Sequence, residues 1–91
     1  MLDRAFFGKA FAEKVEEFSR DHDGMNVRVD VGTVAGERLE TVHIHAAETE
    51  AKLSTSDDRV IFMPYSQIAY VSLSVLQDHR IPGFRLSSDS G

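Results

Sequence analysis

The chain contains no cysteine. That excludes a disulfide framework, a thiolate metal site and a thiol nucleophile, and it fits a reducing compartment. Nor is there a run of the roughly 20 apolar residues that a membrane span requires. The first twenty residues carry Asp3, Glu13, Glu16 and Glu17, and signal or transit peptides avoid such acidic side chains. The expectation is a soluble, cytoplasmic protein with no membrane partner. A glycine-rich phosphate loop is missing, and no serine sits in a Gly-x-Ser-x-Gly elbow. The reading is of a protein that is not an enzyme, with no catalytic residue and no cofactor.

Positive charge is also scarce. The net charge is −5, and residues 21–58 hold three basic and nine acidic side chains. Nonspecific nucleic-acid binding is driven by neutralising phosphates, so this middle segment is a poor backbone track. Any nucleic-acid role has to use one local face.

What the chain does have is enough apolar character to fold: 42% of its 91 residues are hydrophobic, ordinary for a globular domain and too much for a disordered one. The length allows one domain. A domain of this size buries only about 60–65% of the surface its unfolded chain exposes, so partners often add stability.

The apolar periodicity changes once along the chain. Phe7, Phe11, Val15 and Phe18 recur at helical spacing, with Lys9, Glu13, Glu16, Glu17 and Arg20 on the other side, which predicts an amphipathic helix over about residues 3–20. Asp3 is placed to cap it, and Leu2 to staple onto Phe7. Gly24, after Asp21, His22 and Asp23, marks its stop. The same four residues faintly resemble the start of a calcium loop, but the later acidic ligands are absent. Gly8 inside the helix is either simply tolerated or marks close approach of another backbone. The aromatic stripe could suggest a membrane-surface helix, but the glutamates of its polar face favour packing on a core or an interface.

From Met25 the period becomes two. Val27, Val29 and Val31 alternate with Arg28 and Asp30; after a turn over residues 32–37, a second strand runs from Arg38 to Ala46, with Val42 and Ile44 on its apolar side. A third, short strand is predicted from Glu48 to Ser54. A polar turn at Ser56, Asp57 and Asp58 follows, then a fourth strand from Arg59 to Met63, ended by Pro64. Tyr65, Ser66 and Gln67 suffice for one tight turn before a fifth strand, Ile68 to Val75. Five strands in about 50 residues are too few for a two-layer sandwich. They predict a mainly β domain over residues 1–75: an N-terminal α-helix followed by a five-stranded, strongly bent antiparallel SH3-like open barrel at about residues 25–75. Residues 76–91 form a tail with a Pro82-Gly83 turn and a mobile Ser/Asp/Gly end, in which Ile81, Phe84 or Leu86 docks on the barrel or on a neighbour.

A helix, five strands and a one-turn link between the last two strands resemble the Sm-like family, of Lsm and Hfq type, over about residues 3–75. The strongest local likeness is Arg59 to Val71, RVIFMPYSQIAYV, where Ile68 and Val71 match the apolar frame of the family's second motif. Gly36, Leu39 and Glu48 stand near places of its first motif, with Thr41 where a strand glycine is usual and Glu48 one residue late. The basic pairs that family members use to reach RNA from the turn before the last strand are replaced by Pro64, Tyr65 and Ser66. The resemblance implies a homo-oligomeric ring closed by pairing the fourth strand of one copy with the fifth of the next, with Ile61, Phe62, Val71 and Leu73 at the contact. It also implies single-stranded RNA on a ring face. Tyr65 would offer a stacking ring there, and Ser66 and Gln67 hydrogen bonds. The alternative is an oligomeric protein-interaction or scaffolding module of the same fold that binds other proteins and no RNA. For the turn itself, the competing reading is structural: Tyr65 packs at the rim while Ser66 and Gln67 cap.

His43 and His45 project to one side of the second strand and could share a metal with Glu48 or Glu50. Two histidines do not make a site. The expectation is no metal, with exposed imidazoles facing acids across the sheet.

Overall fold

A computed structural model describes residues 2–76 together with Gly83 and Phe84. A helical segment precedes five strands: a π-helical turn, Phe6–Ala10, runs into helix α1, Phe11–Asp21, and is followed by β1 (Val27–Thr33), β2 (Arg38–Ala46), β3 (Glu50–Thr55), β4 (Val60–Pro64) and β5 (Ile68–Val75). The strands form one open antiparallel sheet in the order β4-β3-β2-β1-β5. The protein is mainly β with an N-terminal helix, as the periodicity predicts. The Pro82 turn, Ile81, Leu86 and the Ser/Asp/Gly end lie outside the described residues.

The helix begins where its capping residue places it. The Asp3 carboxylate accepts the Phe6 N–H at 3.1 Å, and Leu2 and Phe6 join the periphery of a core that includes Phe7, Phe11 and Val15. Phe18 is only half-buried and stacks on His22, with ring centroids 4.2 Å apart. Nothing lies within 4 Å of a Cβ built at Gly8, so no backbone approaches there. The stop is a Schellman arrangement: Gly24 N–H donates to the Ser19 carbonyl at 2.7 Å and Asp23 N–H to that of Arg20 at 3.4 Å. The left-handed conformation falls on Asp23 (φ 60°) as well as on Gly24 (φ 72°).

The inner face of the sheet carries Val27, Val29, Val31, Ile44, Ala51, Leu53, Met63 and Ile68, all buried against the helix stripe. Three details differ from the sequence expectation. β3 starts at Glu50 rather than Glu48, because Ala47 N–H closes a turn on the Glu50 carbonyl at 3.0 Å. Pro64 is the last residue of β4, opposite Glu50, instead of lying beyond it. β4 is an edge strand, so a residue without an N–H costs no ladder bond on its open side. Thirdly, β2 does not alternate throughout. The register shifts between Thr41 and His43, so Thr41 points inward and is buried while Val42 is half-exposed. An inserted residue flips the phase of everything beyond it. The buried Thr41 hydroxyl is satisfied by donating to the Leu39 carbonyl at 3.0 Å.

A second irregularity, between Gly32 and Thr33 on β1, bends the sheet at the β5 pairing. There the Tyr70 ring lies flat on Gly32, and any Cβ at that position would collide with it. Phe84 also docks: its N–H donates to the Val27 carbonyl at 2.8 Å and its ring meets Phe11 edge to face at 5.3 Å.

Candidate functional site

The turn Tyr65–Gln67 is a single 3-10 turn joining the two edge strands. Its geometry is fixed from both sides. The Tyr65 hydroxyl donates to the Ala47 carbonyl at 2.5 Å, and its ring stacks on Phe7 with centroids 6.2 Å apart and planes 21° from parallel. Burial pushes the phenol above its ordinary pKa. Tyr65 therefore rivets the turn to the helix and to the β2–β3 connection, while Ser66 and Gln67 stay exposed. The Gln67 carbonyl accepts the Val34 N–H at 3.0 Å.

The four residues expected at an oligomer contact lie on the two open edges. Ile61 on β4 and Val71 and Leu73 on β5 point to the inner face and are half-buried. Phe62 points outward and is 65% exposed, with Val60 beside it on the same face at 52%. Both edges thus present apolar side chains beside backbone that, among the described residues, has no strand on its outer side.

Register brings further residues together on the outer face. His45 is opposite Lys52, which is opposite Phe62; one pair along, His43 is opposite Ser54, which is opposite Val60. Directly opposed residues share a face with Cβ atoms about 4.5–5.5 Å apart. The histidines therefore face a lysine and a serine across the sheet, not the expected acids. Burial first, then the nearby His45 and Lys52, hold the His43 imidazole below its ordinary pKa. A cation at this spot opposes a metal ion, and among the described residues no group of three or more His, Asp or Glu could hold one.

The other half of the outer face carries an ion-pair cluster. Asp30, buried, takes Arg28 Nε at 3.1 Å and Nη2 at 3.2 Å, and Arg28 Nη2 also lies 3.9 Å from Glu40. The nearby Tyr70 hydroxyl, and then the charge of Asp30, raise the exposed Arg38 guanidinium above its ordinary pKa. An open groove of about 440 Å³ lies between the end of α1 and the start of β1, lined by Val15, Met25, Val27 and Phe84. Among the described residues no helix is long and apolar enough to cross a membrane.

Compared with protein families, with characterised proteins and with solved structures, the chain finds no match in any of the three.

Proposed function

We propose that this protein is a non-catalytic, cytoplasmic module of Sm-like type that assembles edge to edge into a homo-oligomeric ring and binds single-stranded RNA on that ring. One observation carries the assembly: among the described residues, β4 and β5 stand at opposite edges of the sheet, each with no strand on its outer side and each bearing half-buried apolar side chains, Ile61 on one and Val71 and Leu73 on the other. An edge of this kind is a template for another strand, and head-to-tail pairing that closes gives cyclic symmetry. The exposed Ser66 and Gln67 support RNA contact at a ring face. A second reading, a scaffold that binds proteins and no RNA, draws on the tethering of Tyr65 to Phe7 and Ala47 and on the net charge of −5.

Because the chain has no cysteine, engineered thiols report edge pairing cleanly. Double variants joining Val60→Cys or Phe62→Cys with Ser72→Cys or Ser74→Cys should give, in at least one combination, a ladder of oxidised oligomers. Single-cysteine variants should stop at dimers. Absence of any ladder from all four combinations would refute edge-to-edge assembly.

A further inference from the structure

Six side chains from three strands form a patch of the outer face in which Lys52 has no ion pair among the described residues; Arg38, likewise without one there, lies at the far end of that face, under the charge of Asp30. Lys52 stands at the centre, flanked across the sheet by His45 on one side and Phe62 on the other, with His43, Ser54 and Val60 one pair along. Two strand spacings, about 9.5 Å, separate His45 from Phe62. Arg28 is committed to Asp30 and Arg59 to Asp57, whereas Lys52 forms no ion pair among the described residues. Glu50, the next carboxylate along that face of β3, is held by the Thr49 hydroxyl at 2.9 Å. Phe62, at 65% exposed, is the most open of the large apolar side chains among the described residues.

We infer that this outer strip, Phe62, Lys52, His45 and His43, is a binding surface for single-stranded RNA, with bases lying on the Phe62 and imidazole rings and a backbone phosphate on Lys52. The inference rests on the RNA branch of the function proposed above and moves the principal contact from the turn to the sheet. Its chemistry suits a stacking ligand. Aromatic rings accept any base through its π-face, and a single ammonium between them neutralises one phosphate without needing a basic track, which this acidic chain does not have. An acidic protein segment would be held by one firm cation and would leave the rings unused.

Fluorescence anisotropy with labelled 12-residue oligo-A and oligo-U at 50 and 200 mM salt tests it, with the native mass of every variant measured in parallel. Phe62→Ala should weaken binding at least 5-fold and Phe62→Trp should restore it, while Lys52→Ala should weaken binding and lower the salt slope by about 0.7, one phosphate on a single strand. Lys9→Ala on the helix should change affinity less than twofold. Binding that survives both Phe62→Ala and Lys52→Ala but is lost in Gln67→Ala would overturn the strip and leave RNA binding at the turn intact. If wild-type protein binds neither oligonucleotide, RNA binding fails altogether. Binding of a poly-glutamate peptide in place of RNA would hand the strip to a protein partner and overturn the inference.

Discussion

The Tyr65 hydroxyl donates to the Ala47 carbonyl at 2.5 Å, joining the turn between the two sheet edges to the connection between β2 and β3. With its ring on Phe7, this residue sets where β4 ends and β5 begins. Tyr65→Phe should cost about 1 kcal/mol, the net worth of one hydrogen bond. Tyr65→Ala should cost about 2–3 kcal/mol, because it also removes the stacked ring. Urea unfolding of the two variants separates the contributions: equal losses would mean that the stacked ring adds nothing, and a Tyr65→Phe variant as stable as the wild type would mean that the hydrogen bond does nothing.

Gly32 and Tyr70 are expected to be coupled. Gly32→Ala forces the Tyr70 ring off its seat, an overpacking cost of about 1–3 kcal/mol. In a Tyr70→Ala background that cost should largely vanish. A double-mutant cycle by thermal or urea unfolding reads the coupling, and strictly additive losses would contradict the contact.

The depressed pKa of His43 fixes a sign for stability against pH. The unfolded imidazole takes up a proton near its ordinary value of about 6.5, whereas the folded one does so only at lower pH, so the unfolded state binds more protons in between. Stability contributed by this residue is complete above about pH 6.5 and is lost as pH falls through the folded pKa. Unfolding midpoints at pH 7.5 and pH 5.5 should therefore differ less in His43→Gln than in the wild type.

Much of the fold was legible because local chemistry and periodicity agreed. Asp3 caps the helix, the Phe7, Phe11 and Val15 stripe is buried, and β2 and β5 have the predicted bounds. What escaped depends on partners distant in sequence. The bulge that turns Thr41 inward leaves no trace in a pattern of alternating residue types, since threonine suits either face. Gly32 reads as the start of a turn until Tyr70, far along the chain, is laid on it. The outer strip is of the same kind: His43 and His45 were visible as neighbours, but only the registers of β2 with β3 and of β3 with β4 bring Lys52 and Phe62 beside them.

Assembly through the open edges is the central claim, and the native mass of the particle tests it most directly. Light scattering coupled to size exclusion at micromolar concentration should show one species of several copies of the 10.2 kDa chain. Ile61→Asp, which places a carboxylate at the β4 contact and costs several kcal/mol if it is buried unpaired, should shift that species toward the monomer while circular dichroism reports whether the sheet persists. A wild-type protein that is folded and runs as a clean monomer under these conditions would contradict the account.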